Sequence, residues 1–211
     1  MNIALINGSP KAKDSASGNI LATLKKVLPE NHNIYYYKFN TPQVTHKDIE
    51  EISNCSAIVI AFPLYGDGIP SHLLNCLVQM ESYFRVNTNS NIIVYALVNC
   101  GFYEGKQAKW ALEMIEHWCI KSDLKWGQGI GIGGGGMLSN LPASSSGQGL
   151  TKNLLEGLNK ISNNISSSIS ADNIFVSPNI PRVLYKIGGA IGWNQQIKSN
   201  GLTKRDLNIR L

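Results

Sequence analysis

The first 28 residues constrain the fold most, because a strand pattern, a polar loop and a helix pattern follow one another there without interruption. An apolar run from Ile3 to Ile6 ends at Asn7-Gly8-Ser9-Pro10, and apolar residues at helical spacing resume after Gly18. A strand joined to a helix by a short loop is the unit from which parallel sheets are built. The sequence therefore predicts that the chain begins with such a unit.

This loop and the start of its helix have the chemistry of an anion site. The first N–H groups of a helix have no partner within the helix, and the helix dipole places partial positive charge at the same end. Candidate donors to phosphate oxygens are the side chains of Ser9, Lys11, Lys13, Ser15, Ser17 and Asn19, beside the flexible backbone of Gly8 and Gly18. An ordinary strand-to-helix turn with Ser17 as N-cap is the alternative interpretation.

Strand and helix patterns alternate about five times within the first 170 residues. This alternation predicts an α/β fold with a doubly wound parallel sheet and helices on both faces. Continuous apolar runs at 55–62 and 91–98 are typical of strands that are covered on both faces. In such sheets ligands bind beyond the carboxyl ends of the strands, so the loops after strands one, three and four are the candidate site.

The loops after the third and fourth strands offer aromatic rings and exposed backbone groups. Pro63-Leu64-Tyr65-Gly66-Asp67 forms the first of them, and Asn99-Cys100-Gly101-Phe102 begins the second. A planar heteroaromatic ligand needs an apolar face to lie against and backbone partners at its polar edge. The alternatives are a helix-capping turn at Asp67 and aromatic side chains that only close the core.

These motifs resemble those of the NAD(P)H-dependent FMN reductase family, a branch of the flavodoxin-like proteins. The stretch Ile6 to Lys11, with Ser15, Ser17, Gly18 and Asn19 behind it, resembles the family's FMN phosphate loop, and the other two loops stand where the family places its isoalloxazine loops. The resemblance covers about residues 1–170. It implies a five-stranded sheet of order 2-1-3-4-5, noncovalently bound FMN and an electron-donating NAD(P)H.

The resemblance predicts an FMN-dependent NAD(P)H oxidoreductase that passes hydride to a flavin, a quinone or a similar small acceptor. A non-enzymatic flavodoxin-type electron carrier or a flavin-bearing interaction protein is the alternative. The sequence identifies no catalytic side chain. The residues predicted to bind the cofactor come from all three loops: Ser9, Lys11, Ser15, Ser17, Gly18, Asn19, Pro63, Leu64, Tyr65, Gly66, Asp67, Asn99, Cys100, Gly101 and Phe102.

Composition and cysteine spacing set the remaining expectations. Hydrophobic residues make up 43% of the chain and charged residues 16%, which is typical of a globular protein. The sequence has neither a signal-peptide pattern nor an apolar run of membrane-spanning length, so we expect a cytoplasmic protein without a transmembrane segment. Four scattered cysteines predict buried reduced thiols and no metal or iron–sulfur cluster. We also expect a homodimer and no nucleic-acid partner.

The net charge of +5 arises in the C-terminal segment, because residues 180–211 contain six Lys and Arg side chains and one acidic side chain, Asp206. We therefore divide the chain into a flavodoxin-like domain, residues 1–170, and a basic helical extension, residues 171–211. Helical spacing after Pro181 predicts a helix at Val183 to Ile191. This extension either packs on the domain, docks on a membrane surface or attracts the phosphates of NAD(P)H.

A glycine-rich run at 127–136 contains the pattern G-x-G-x-x-G twice. It lies late in the chain, partly inside the last predicted strand, and no acidic residue follows at the distance that a dinucleotide-binding unit requires. We interpret the run as a flexible loop near the mouth of the cofactor site. The serines at 144–146 lack the strand-to-helix context of a hydrolase nucleophile.

Overall fold

The structure is a computed structural model that describes residues 1–87, 91–135, 149–203 and 206. The chain divides into two compact units, Met1–Pro178 and Asn179–Leu211. The first unit includes residues 171–178, which the sequence analysis assigns to the extension, because a short strand there joins the sheet. Gly136, the serines at 144–146 and the cations Lys204, Arg205 and Arg210 lie outside the described residues.

Strands and helices alternate along the first unit. The strands are β1 (Asn2–Asn7), β2 (Asn33–Lys38), β3 (Ala57–Pro63), β4 (Ile93–Asn99), β5 (Lys125–Ile132) and β6 (Ile174–Val176). The helices are α1 (Ala16–Val27), α2 (His46–Ser53), α3 (Ser71–Phe84), α4 (Lys109–Lys121) and α5 (Lys152–Ser166), and a 3₁₀ turn, Gly105–Ala108, precedes α4. The second unit contains the predicted C-terminal helix as α6 (Arg182–Ser199).

The sheet is parallel throughout and has the order β2-β1-β3-β4-β5-β6. The predicted order 2-1-3-4-5 is confirmed, and β6 is an additional strand at the far edge. A strand of three residues is too short to produce an alternating hydrophobic pattern, so β6 was not predicted. It pairs Ile174, Phe175 and Val176 with the end of β5.

Two hydrophobic layers cover the two faces of the sheet. Side chains alternate along β3, so that Ile58 and Ile60 pack into one layer while Val59 and Ala61 pack into the other. Helices α2, α3 and α4 contribute to the first layer, and α1 and α5 to the second. Each fully buried aliphatic side chain contributes about 1.5–3 kcal/mol. Because the central strands are apolar on both sides, helices must cover both faces of the sheet, and this is the doubly wound arrangement.

Glycines in β5 allow the 3₁₀ turn before α4 to lie directly on the sheet. A Cβ on Gly131 would stand 2.4 Å from the carbonyl oxygen of Gly105, and a Cβ on Gly105 would stand 2.3 Å from that of Gly131. Contacts this short with backbone atoms cannot be relieved by a rotamer change. Much of the glycine-rich run therefore serves close packing inside β5, which confirms the last predicted strand, and residues 133–135 begin the loop that follows it.

No helix in the described parts of the chain is long and apolar enough to cross a membrane. Within the same residues, no group of three or more His, Cys, Asp and Glu side chains could hold a metal ion. Cys55, Cys76, Cys100 and Cys119 are free and buried, which confirms the expected state of the thiols.

We expect Gly105→Ala to lower the free energy of unfolding by about 2 kcal/mol or more, because its methyl group would overlap two backbone carbonyl oxygens. The matched control is Gly157→Ala in α5. A Cβ there makes ordinary contacts of 3.4 Å and longer with Val176 and Ile130, and alanine favours the helix by about 1 kcal/mol. Urea denaturation measures both variants, and equal stability of Gly105→Ala and the parent would contradict the packing argument.

Candidate functional site

A cavity of about 190 Å³ lies at the carboxyl ends of the central strands. Its walls come from the loops after β1, β3, β4 and β5 and from the first turn of α1. The lining residues are Ser9, Lys11, Ala16, Ser17, Pro63, Leu64, Tyr65, Asn99, Gly101 and Gly135. The structure therefore brings the three predicted loops together around one cavity.

Asn7 shapes the loop after β1 from its buried position at the strand end. Its side-chain oxygen accepts from the backbone N–H of Ser9 at 3.1 Å, which closes an Asx turn. Its Nδ2 donates to Ser15 Oγ at 3.3 Å. The backbone N–H of Lys11 then donates to Ser9 Oγ at 3.3 Å. These bonds hold Ser9 and Lys11 against the cavity.

Ser15, not Ser17, is the N-cap of α1. Its hydroxyl oxygen accepts from the backbone N–H of Gly18 at 3.0 Å and also from Asn7. Both lone pairs of Ser15 are thus used inside the loop. The two residues after it, Ala16 and Ser17, line the cavity at the helix end where the dipole favours an anion. The alternative with Ser17 as cap was therefore wrong.

A hydrogen bond between Ser17 and Asn99 joins the start of α1 to the end of β4. Ser17 Oγ donates to Asn99 Oδ1 at 2.7 Å, and the two residues are 1% and 5% exposed. Since the hydroxyl proton is committed to Asn99, the Ser17 side chain positions two walls of the cavity. Its backbone N–H remains the better donor to a ligand. Sequence could not reveal this pair, because its members are separated by 82 residues.

The loop after β3 continues the sheet by one bond and then turns sharply. Leu64 N–H donates to the carbonyl of Asn99 at 2.8 Å. Tyr65 and Gly68 exchange backbone hydrogen bonds of 3.1 and 3.0 Å, while Gly66 and Asp67 between them have φ of +54° and +61°. This geometry is a type I′ turn. It leaves Tyr65 53% exposed at the cavity wall.

Asp67 does not cap the next helix, since Pro70 occupies the N-cap position of α3 and no side chain caps it. The alternative of a helix-capping turn is therefore wrong. Asp67 instead lies at the tip of the type I′ turn, and neither it nor Gly66 lines this cavity.

Cys100 and Phe102 point in different directions from the loop after β4. Cys100 is buried, and its thiol donates weakly to the carbonyl oxygens of Phe102 and Glu104 at 3.9 and 3.6 Å. Burial raises the pKa of this thiol, which keeps it protonated at neutral pH. Phe102 is 55% exposed, so it does not close the core. Only Asn99 and Gly101 of this loop line the cavity.

The loop after β5 contributes a further wall of the cavity, at the end of the glycine-rich run that the sequence predicts to lie near the mouth of the site. Gly134 and Gly135 donate their backbone N–H groups to the carbonyls of Phe102 and Cys100, both at 2.7 Å. A Cβ on Gly135 would stand 2.9 Å from the carbonyl oxygen of Cys100. Glycine is therefore needed where this loop closes on the cavity. The sequence could have indicated this wall, because the loop follows a parallel strand and therefore lies at the same edge of the sheet as the other three loops.

Seven of the predicted site residues lie near the cavity without lining it. Ser15, Gly18 and Asn19 build the first turn of α1, Gly66 and Asp67 form the turn tip, and Cys100 and Phe102 belong to the loop after β4. Lys11 is the one charged residue among those that line the cavity. The site as described thus favours an anion beside a mostly apolar wall.

No protein-family model matches the chain, and no curated protein matches its sequence. Solved structures do match its fold. An NAD(P)H:quinone oxidoreductase from Methanothermobacter marburgensis has a TM-score of 0.58 and 15% identity, covering 78% of this chain and 96% of its own. An NADPH-quinone reductase from P. pentosaceus has a TM-score of 0.55 and 13% identity, covering 77% and 98%.

A short-chain flavodoxin associated with a bacterial microcompartment matches with a TM-score of 0.50 and 11% identity, covering 81% of this chain and 100% of its own. Identities at this level establish the fold alone. The fold of this chain is flavodoxin-like.

We expect Ser17→Ala to lower the free energy of unfolding by about 1–3 kcal/mol, because it leaves the buried side-chain oxygen Oδ1 of Asn99 without its donor. Ser82→Ala is the control, since that hydroxyl donates only to a carbonyl on the exposed side of α3 and should be nearly neutral. Thermal or urea unfolding measures the pair. A Ser17→Ala protein as stable as Ser82→Ala would show that the bond does not join the two walls.

Proposed function

We propose that this protein is an FMN-dependent oxidoreductase that takes hydride from NAD(P)H and passes electrons to a small acceptor such as a quinone or a flavin. The observation that carries the proposal is one cavity whose lining combines a cation and a helix N-terminus with an apolar, aromatic wall. A phosphorylated planar ligand needs both kinds of wall.

The phosphate would be held by Lys11, by Ser9 and by the first N–H groups of α1. Ser9 Oγ accepts from Lys11 N–H, so its own proton is left to donate. Lys11 is exposed at the cavity and supplies a positive charge. Ser15 and Ser17 use their hydroxyls within the protein and would act through the geometry of the loop.

The ring would lie against Leu64 and Tyr65. The backbone N–H groups of Leu64, Tyr65 and Cys100 already donate to carbonyls, so they are not available at the ring edge. Gly66, Asp67 and Phe102 follow them in the two loops, and no hydrogen bond of their backbone N–H groups appears among the described residues. These three residues do not line the cavity, so we assign them as donors only to the part of the ring that would extend past Tyr65.

The size of the cavity fits a partly enclosed cofactor. At about 190 Å³ it is smaller than sites that enclose a whole ligand, which are roughly 300–1,000 Å³. A Cβ on Gly101 would meet no atom within 4 Å, so this glycine leaves room at the wall. Part of the ring would therefore extend past Tyr65, where a second substrate could stack.

Bound FMN would supply the redox chemistry, since flavins carry hydride transfer themselves. The chain's part is to hold the phosphate at α1, to orient the ring between two loops and to leave one ring face open. This division of labour requires no side chain that acts as an acid or a base in the hydride step.

The matched quinone reductases share this fold and are named for NAD(P)H-dependent activity, which supports an enzyme. The matched flavodoxin shows that the fold also suits the electron-carrier alternative. Flavodoxin-type carriers tend to be acidic, whereas this chain is neutral over residues 1–179 and basic at its end. We therefore favour the enzyme over the electron carrier.

We further propose a cytoplasmic homodimer. Leu74 and Val78 on α3 and Met114 on α4 are exposed apolar side chains, which a second copy could cover. The free thiols suit a reducing compartment.

The test is a titration of the purified protein with FMN, followed by anaerobic addition of NADH or NADPH. We expect saturable binding at micromolar FMN, seen as quenching of flavin fluorescence, and then bleaching of the flavin absorbance by the nicotinamide. A protein that FMN does not saturate would refute the proposal. Bound flavin that neither nicotinamide reduces would establish the carrier instead.

A further inference from the structure

A second cavity, of about 450 Å³, borders the loops after β3 and β4, which also contribute walls to the first cavity. Asp67 belongs to the type I′ turn whose Tyr65 lines the first cavity, and Glu104 lies three residues after Gly101 in the loop after β4. The lining residues are Asp67, Glu104, Lys106, Gln107, Lys109 and Trp110. None of these side chains takes part in the flavin site proposed above.

Trp110 is the most unusual residue of the second cavity, because its large apolar ring is 60% exposed. Lys109 Nζ lies 4.8 Å from the centroid of the ring and 3.5 Å from Glu113 Oε1. One face of the indole is thus paired with a cation, which leaves the other face to a planar ligand.

Trp110 and Asp67 of the shared turn line the same cavity, and Met114 of α4 contacts that turn. Met114 lies one helical turn after Trp110 on α4, so the two side chains share a face of the helix. Met114 Sδ lies 3.4 Å from the position of a Cβ on Gly68, the last residue of the turn. An exposed indole therefore stands beside the wall of the flavin cavity.

The lining of the second cavity contains two carboxylates, of Asp67 and Glu104, and two cations, of Lys106 and Lys109. Lys109 pairs with Glu113, whereas Lys106 makes no ion pair within the described residues and is the cation left for a phosphate. Asp67 supplies a carboxylate that can accept hydrogen bonds from the hydroxyls of a ribose. Trp110 can stack on a purine.

We infer that the second cavity binds the adenosine phosphate half of the nicotinamide dinucleotide, with Trp110 against the adenine, Lys106 at a phosphate and Asp67 at the ribose. The inference rests on the proposed function, because the nicotinamide would reach past the shared turn to the open side of the first cavity. The second cavity would then set the affinity for the dinucleotide while leaving the hydride step unchanged.

The first experiment measures the binding of ADP-ribose, which lacks the nicotinamide, by calorimetry on the flavin-free protein. We expect the parent to bind ADP-ribose, and Trp110→Ala and Lys106→Glu each to bind it about tenfold more weakly. Ile120→Ala is the matched control, since it removes an exposed apolar side chain from the same helix, α4, that does not line the cavity. Absence of binding to the parent, or equal affinity of all variants, would overturn the inference.

The second experiment compares two hydride donors on the flavin-loaded protein. For NAD(P)H we expect Trp110→Ala to raise KM about tenfold with kcat unchanged. For reduced nicotinamide mononucleotide, which has no adenosine, the same variant should match the parent. A KM that rises equally for both donors would contradict the assignment.

The two experiments separate this inference from the proposed function. If ADP-ribose binds through Trp110 but neither nicotinamide reduces bound flavin, the oxidoreductase proposal fails and the nucleotide site stands. If flavin is reduced but Trp110→Ala changes neither measurement, the second cavity is not the adenosine site. A Trp110→Ala protein with parental FMN affinity confirms that the substitution leaves the first cavity intact.

Discussion

The register of the central parallel strands is the constraint on which the candidate site depends. Asn7, the last residue of β1, pairs with Ala61, whereas the ladder between β3 and β4 continues to Pro63 and Asn99. Because β1 ends earlier than its neighbour, there is room beside β3 for the loop that leads into α1. The end of β4 then lies next to that loop, and the hydrogen bond from Ser17 to Asn99 joins the two.

Polar groups at this edge divide into those that build the site and those that are left for a ligand. The side chains of Asn7, Ser15, Ser17 and Asn99 satisfy one another or nearby backbone groups, as buried polar groups must. Lys11 projects from the framework that they form. Under the proposed function, Ser15 and Ser17 would therefore shape the loop rather than donate their hydroxyls to the phosphate.

Sequence patterns predicted the features that follow from local chemistry. Apolar strand patterns that alternate with helix patterns predicted the central sheet, and the polar residues after Ile6 predicted the loop at the start of α1. The bond between Ser17 and Asn99, the wall at Gly135 and strand β6 depend on tertiary contacts, which no local spacing encodes. The positive φ of Asp67 could not be predicted from the sequence either, because the motif Tyr65 to Gly68 fits a helix-capping turn as well as a type I′ turn.

Comparing FMN with riboflavin, which lacks the phosphate, tests most directly the proposal that the start of α1 binds the phosphate of FMN. We expect the parent to bind FMN at least about tenfold more tightly than riboflavin, since charge-assisted hydrogen bonds contribute about 1.5–3 kcal/mol. Lys11→Glu should abolish this preference, whereas Lys13→Glu, an exposed neighbour outside the cavity, should retain most of it. Equal affinity of the parent for the two flavins would refute phosphate binding at α1.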